Sequence, residues 1–240
     1  KKNIDEAIEG SLKRLQTDYI DLYQVHWPER IVNNFGSLSY KHLPREDDTS
    51  IQETLEALAT HITNGNIRYI GLSNETPWGV MQFTSLAKSH GLPRVVSIQN
   101  PYNLLNRSYE VGLSEISIRE NIGLLAYSPL AFGVLSGKYL NGASPEKGRI
   151  TLFPRFKRYL GTSPEKAVKE YINLAKGYGI DPCHLALAFV TNQDFVTSNI
   201  IGATNIEQLE TNINSTTCLL SNDVISEIEK IHNTYTYPCP

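Results

Sequence analysis

A parallel α/β barrel of the (β/α)8 kind, with about five of its eight βα units present, is the fold this sequence predicts. Three observations carry it. Five short apolar runs, at Ile20–Val25, Ile67–Leu72, Val95–Ile98, Gly123–Tyr127 and Val196–Ile201, are each followed by a stretch with helical spacing of apolar residues. That alternation is the grammar of a parallel sheet. Each run also stops at polar or turn-forming residues, and no GxGxxG follows any of them, which weighs against a doubly wound dinucleotide fold.

Taken in order, Asn3–Leu15 has helical spacing, with Asn3 as cap and Glu6 three residues on. The strand Ile20–Val25 follows and is stopped by His26-Trp27-Pro28. Residues 29–49, with Asn34, Gly36 and Pro44, read as a long excursion over that strand's end. Ser50 caps a helix with Glu53 in the capping-box position, running to Gly65. The strand Ile67–Leu72 ends in Ser73-Asn74, and Pro77 opens a helix towards Gly91. Val95–Ile98 ends in Gln99-Asn100-Pro101, Ser108–Glu120 is helical, and Gly123–Tyr127 ends in Ser128-Pro129. Residues 130–163 form a second long loop. Ser163 caps a helix opened by Pro164, Asp181-Pro182 opens another, and Val196–Ile201 stops at Gly202-Ala203-Thr204. Asn205 and Ser221 cap the last two helices.

The composition is that of one globular domain over residues 1–240, 40% hydrophobic and 20% charged, with a net charge of −3. The acidic balance, with no Lys/Arg run, argues against nucleic acid. No apolar run reaches the ~18 residues of a membrane span, and no signal peptide is evident, so a cytoplasmic location is expected. Cys183, Cys218 and Cys239 lie far apart in no ligand spacing, which favours reduced thiols over disulfides or a metal site. The chain begins Lys-Lys-Asn and its single methionine is Met81. Five strands do not close an eight-stranded barrel, and three absent strands would forfeit several buried side chains at ~1.5–3 kcal/mol each. Against a domain stability of ~5–15 kcal/mol, that loss leads to the expectation that about three further units precede Lys1.

Ligand chemistry in parallel α/β folds gathers at the carboxyl ends of the strands. His26 stands at such an end and is a candidate catalytic group, with Trp27 as a pocket wall. A strand-end imidazole satisfied by a backbone carbonyl is the alternative for His26, and a core plug for Trp27. Ser73-Asn74, Gln99-Asn100, Tyr127-Ser128 and Gly202-Ala203-Thr204 together offer amides, hydroxyls and an aromatic face, a cradle suited to a planar amide-bearing ring such as nicotinamide.

The stretches DYIDLYQVHWP, IRYIGLSN, IQNPYNLLNR, AYSPLAFGVLSGKY and IIGATNIEQLETNI resemble the aldo-keto reductases, nearest their bacterial Tas-type branch, beside the β-subunits of voltage-gated potassium channels. The resemblance implies a (β/α)8 barrel that binds NADP(H) without a Rossmann motif and reduces aldehydes or ketones. It gives His26 the role of the histidine that directs the substrate carbonyl. Ser73, Asn74 and Gln99 match the groups that bind the nicotinamide carboxamide, and Tyr127 the aromatic under the ring. Ser128 to Lys138 match the pyrophosphate loop, with Leu130 and Gly133 as backbone contacts and Lys138 as a charge partner. Thr204, Gln208 and Asn212 fall at the adenosine end.

Elementary chemistry agrees with these roles. Asn, Gln and Ser side chains supply both donors and acceptors for a carboxamide. A tyrosine face stacks on a ring, glycines let backbone amides approach phosphate, and the helix after Asn205 starts at an anion-friendly end. The departure is at Thr204-Asn205, where many family members carry a basic residue for the ribose 2′-phosphate. Arg149 or Arg155 is then the expected clamp. The resemblance places the family's tyrosine, lysine and aspartate upstream of Lys1, so residues 1–240 alone are expected to be inactive.

Other residues invite weaker readings. Arg155, Lys157 and Arg158 grip phosphate or face water, and Tyr235–Tyr237 fold over the site or dock as a tail. His42 lies in a solvated loop, His61, His90 and His232 belong to surfaces, and Tyr102 and Asn103 to loop packing. His184 beside Cys183 lacks the partners a metal requires. The partner expected is a small carbonyl compound, with neither nucleic acid nor membrane. The alternative is a nucleotide-sensing adaptor that binds NADP(H), docks on a partner protein and has little catalysis.

Overall fold

The computed structural model describes residues 2–33, 35–43 and 48–240. Asn34 and Pro44, in the first long loop, lie outside the described residues. The elements run α1 (Lys2–Leu15), β1 (Ile20–Val25), α2 (Ile51–Thr63), β2 (Ile67–Ser73), α3 (Pro77–His90), β3 (Val95–Pro101), α4 (Leu113–Glu120), β4 (Gly123–Tyr127), α5 (Arg149–Leu152), α6 (Thr162–Gly177), α7 (Pro182–Thr191), β5 (Val196–Ile200), α8 (Ile206–Asn214) and α9 (Asn222–Thr234). The five strands form one sheet in the order β1-β2-β3-β4-β5. Parallel strands in sequence order, each followed by helix, are consecutive units of a (β/α)8 barrel.

Contacts divide the chain into two compact units. The first comprises Lys1–Asn34, Ser39–Asn100 and Gly112–Leu124; the second comprises Phe35–Leu38, Pro101–Val111 and Leu125–Pro240.

In the first unit, β1 and β2 pair in parallel with Ile20 opposite Ile67 and Val25 opposite Leu72. The β2–β3 register shifts between Ile70 and Gly71, so that Ile70 meets Val95 but Gly71 meets Ser97. That shift sets Ser73 level with Gln99. Gly71 has no room for a side chain, since a Cβ there would lie 2.7 Å from Ser97 Oγ. Ile8, Leu55, Leu58, Ile67, Ile70, Leu72, Val80, Phe83 and Ile98 fill the core. Each such side chain contributes about 1.5–3 kcal/mol by leaving water. The caps follow the expected chemistry: Ser50 Oγ accepts from Glu53 N, Thr76 Oγ1 from Gly79 N, and Gly91 closes α3 in the left-handed region.

The second unit packs an aromatic cluster. Tyr102 stacks on Phe189 at 5.8 Å between ring centres and meets Phe195 edge-on at 5.3 Å. The Tyr102 hydroxyl donates to Glu110, whose carboxylate is held by Arg107; Arg107 also pairs with Glu229 of α9. Burial, with the negative charge of Glu110 behind it, holds the Tyr102 phenol far above its ordinary pKa.

Four expectations need correction. Helix α1 begins at Lys2, so Asn3 lies within it rather than capping it. The helix expected over Ser108–Glu120 is a 3₁₀ turn at Ser108–Val111 and a separate α4, because Gly112 leaves the helical region (φ −158°, ψ −35°) and interrupts the ladder. Helix α6 begins at Thr162 after Gly161, which leaves Ser163 inside the first turn. Pro164 is tolerated there because its missing N–H would be unpaired anyway. His61 is buried rather than superficial, bonded to Asp5 at 2.9 Å and to Asn66 at 3.0 Å. The loop 130–163 also carries its own structure, with 3₁₀ turns at Ala131–Ser136 and Leu140–Gly142 besides α5.

Candidate functional site

The strand ends of the first unit gather the residues expected to hold a carboxamide. Asn74 leaves β2 in the left-handed region, at φ 54°. That turn sends its backbone N–H to Gln99 O at 3.1 Å and its side-chain Nδ2 to His26 O at 2.9 Å and Ser73 Oγ at 3.1 Å. Ser73 Oγ donates in turn to Gln99 O at 2.8 Å. Three consecutive strand ends are therefore laced through one asparagine. His26 is exposed, with its ring 5.3 Å from that of Trp27 and tilted 31°. Trp27 is 42% exposed and so is not a core plug.

A primary carboxamide needs both an acceptor and donors, and this cluster offers both. Among the described residues no hydrogen bond engages the half-buried Gln99 side chain. Asn100 Oδ1 beside it is buried without a partner. The half-buried Gln99 amide at a strand end thus keeps its donors and acceptor open, which fits an amide-bearing ring.

The second unit carries the remaining expected residues, each in its own local setting. Tyr127, at the end of β4, is half-buried, and burial pushes its phenol up to about 12 although Arg158 nearby opposes the shift. It is neutral at physiological pH and suited to stacking, not to proton transfer. Ser128 sits at φ 59° and its carbonyl accepts from Asn103 Nδ2 at 3.0 Å. Asn103 is fully buried and also reaches Tyr159 Oη at 3.2 Å.

Beyond Ser128 the backbone is left-handed at Ala131, Phe132 and Gly133. Leu130 O takes the N–H of Gly133 at 2.8 Å and of Leu135 at 3.3 Å. Gly133's own N–H is therefore spent within the loop. Lys138 folds over it, so that a Cβ at Gly133 would lie 2.8 Å from Lys138 Nζ. At the far end Thr204 gives its N–H and hydroxyl to Gln208 Oε1 at 3.0 and 3.1 Å. Asn205 Oδ1 caps α8 through Gln208 N at 2.8 Å. Asn212 is buried and donates to Gly202 O at 3.1 Å, which braces the turn after β5.

The basic residues of the long loop divide. Arg155 lies over Phe156 at 4.9 Å, and Arg149 over Phe132 and Phe156 at 4.7 Å each. Arg158 is set among Phe35, Tyr159, Phe132 and Tyr127, 4.0 to 6.0 Å from their ring centres. The sequence grouped it with Arg155 and Lys157, and Tyr127-Ser128 at the end of β4 gave no hint of it. It also missed Arg30 and Glu75, whose signal was a carboxylate directly between Ser73-Asn74 and the Thr76-Pro77 helix start. The three cysteines are free, and burial pushes the thiols of Cys183 and Cys239 up to about 11 and 12. No group of metal-ligating residues is found among the described residues, and no helix there is long and apolar enough to cross a membrane.

Amide-bearing strand ends on a sequentially ordered parallel sheet are of the kind an α/β enzyme uses to hold a polar ring. Comparison with known proteins narrows the class. The model of the aldo/keto reductase family matches residues 1–233. The chain is 57% identical to Protein tas of Escherichia coli K12 over 240 residues, all of this chain and 69% of that protein. It is 42% identical to an aldo-keto reductase of Babesia bovis, over 97% of this chain and 87% of that one. It is 29% identical to L-glyceraldehyde 3-phosphate reductase of Escherichia coli K12, over 89% of this chain and 58% of that one. The chain belongs to the aldo/keto reductase family, close to its Tas-type bacterial branch, and is an NADP(H)-dependent oxidoreductase of carbonyl compounds.

Proposed function

We propose that His26 orients the carbonyl oxygen of an aldehyde or ketone, with Trp27 as a wall of the substrate pocket. Ser73, Asn74 and Gln99 hold the nicotinamide carboxamide, and Tyr127 stacks on the ring. Ser128, Leu130, Gly133 and Lys138 take the pyrophosphate, Thr204, Gln208 and Asn212 the adenosine end, and Arg155 a phosphate. The observation that carries this reading is the lacing of Asn74 to both His26 O and Ser73 Oγ.

When bound, NADPH would supply the hydride that, together with a proton from a general acid or the solvent, reduces the carbonyl to the alcohol. The chain's own residues determine where that carbon sits. The carboxamide hydrogen bonds would fix rotation of the ring, a tyrosine face would offer it a stacking surface, and His26 would orient the carbonyl oxygen. Orientation of this kind supplies a large part of a hydride-transfer enzyme's rate. The relative named for L-glyceraldehyde 3-phosphate supports a small polar aldehyde as one substrate to try.

The test is a fluorescence titration of the full-length protein with NADPH, paired with steady-state reduction of a carbonyl panel. Asn74→Gly keeps the left-handed backbone and removes only the side-chain amide. It should weaken NADPH binding about 3–15-fold, the range for one or two hydrogen bonds. His26→Ala should bind NADPH normally and lose about 10²-fold in kcat. Normal turnover in His26→Ala would refute its role, and unchanged affinity in Asn74→Gly would refute the carboxamide assignment.

A further inference from the structure

Glu75, the residue after Asn74, is a carboxylate buried to 4% exposure in the first unit. Its oxygens receive both terminal nitrogens of Arg30, at 3.2 and 2.5 Å, and the backbone N–H of Thr76 at 2.6 Å. Arg30 Nη2 also donates to Thr76 Oγ1 at 3.0 Å, and its guanidinium lies 4.7 Å from the Trp78 ring centre. Gly79 leaves the room for this arrangement, since a Cβ there would stand 2.1 Å from Glu75 Oε1 and 2.4 Å from Arg30 Nη2. The Glu75 carbonyl meanwhile accepts from Asn100 Nδ2 at 3.0 Å.

Three strand ends meet in this one residue. Arg30 stands four residues past His26, with the rigid Pro28 between them. Asn100 follows Gln99, and Asn74 is joined to Glu75 directly. A buried ion pair is a poor device for stability, because desolvation consumes most of its attraction. Its bidentate geometry is a good device for fixing direction. We propose that Glu75 and Arg30 are a positioning pair, which holds the His26–Trp27 segment in register with the carboxamide-binding residues Asn74 and Gln99. The inference rests on the roles given to those residues above.

The experiment measures kcat, carbonyl KM and NADPH affinity of the full-length protein for wild type, Arg30→Met, Arg30→Lys and Trp78→Leu. Arg30 is severed from Glu75 in the first variant while Asn74 keeps its own bonds. Arg30→Met should therefore lose about 10–50-fold in kcat, within the range an ångström of misplacement produces, with NADPH affinity changed less than threefold. Arg30→Lys should recover part of that loss. Trp78 is 57% exposed, so Trp78→Leu folds even where Arg30→Met does not, and it should show the same split on a smaller scale. Unchanged kcat in the folded variants overturns the proposal, as does an equal loss of kcat and NADPH affinity, which marks a general packing role. A wild-type protein that neither binds NADPH nor reduces any carbonyl refutes the underlying site, and this pair with it.

Discussion

The guanidinium of Arg158 lies 4.0 Å from the ring centre of Phe35, a residue of the long loop after β1. Arg158 also faces Tyr159 and Phe132 at 4.8 and 5.0 Å, and Tyr127 at 6.0 Å. One cation thus joins the ring proposed to stack on nicotinamide to a loop segment whose Gly36 N–H is tied to Pro240 O at 2.8 Å. Cation–π contacts of partly desolvated arginine are worth about 0.5–2 kcal/mol each. Arg158→Leu should lower stability to urea by about 1–3 kcal/mol and weaken NADPH binding by releasing Tyr127. Lys at the same position should restore only part of either, since an ammonium does not stack as a guanidinium does.

Gly133 sits at φ +89° under Lys138. Gly133→Ala must strain the backbone and push the lysine aside. The expected result is weaker NADPH binding with a salt dependence lower than that of wild type, because the displaced ammonium no longer attracts phosphate. Titrations at two ionic strengths check this, and an unchanged salt slope would count against a phosphate role for Lys138.

Arg107 is buried, with Glu110 and Glu229 as partners. Removing Arg107 leaves Glu110 and Glu229, 28% and 44% exposed, without their cation, a loss of charged hydrogen bonds worth about 1.5–3 kcal/mol. Arg107→Ala should lose that much in chemical denaturation. Simultaneous replacement of Arg107, Glu110 and Glu229 by apolar residues should lose less than Arg107→Ala alone.

His232, on α9, has its pKa held below the ordinary histidine value, first by burial and then by the charge of Arg107. Its ring meets Tyr237 edge-on at 5.4 Å, and its Nδ1 is buried without a partner. The unfolded chain therefore takes up a proton near pH 6.5 while the folded chain does not. Stability contributed by the neutral ring is complete above that pH and is lost as pH falls from about 6.5 through the lower folded value. His232→Phe should show a smaller drop in urea midpoint between pH 7.5 and 5.5 than wild type does.

What was legible in the sequence was whatever local chemistry decides. Asn205, Ser221 and Asp181 cap helices as their side chains require. The strand ends were found because polar residues interrupt apolar runs. Ser73, Asn74 and Gln99 were legible as a set through their motifs, and their hydrogen bonds now join them. Long-range pairing stayed hidden. Glu75 and Arg30 are 45 positions apart and Arg158 and Phe35 more than a hundred, so no periodicity links them. His61 read as a surface residue because Asp5, its partner, lies on another helix.

The slip in β-pairing beside Gly71 reaches further than its size suggests. Val96 is the supernumerary residue that moves Gln99, rather than Ile98, into line with Ser73. Since side chains alternate faces along a strand, regular pairing of Val96 with Gly71 would present a hydrocarbon where an amide now stands and turn the amide to the opposite face. The chemistry of this rim is thus encoded as a count of residues as much as by their kind. Engineering that preserves every named side chain but forces Val96 back into the ladder should abolish nicotinamide recognition.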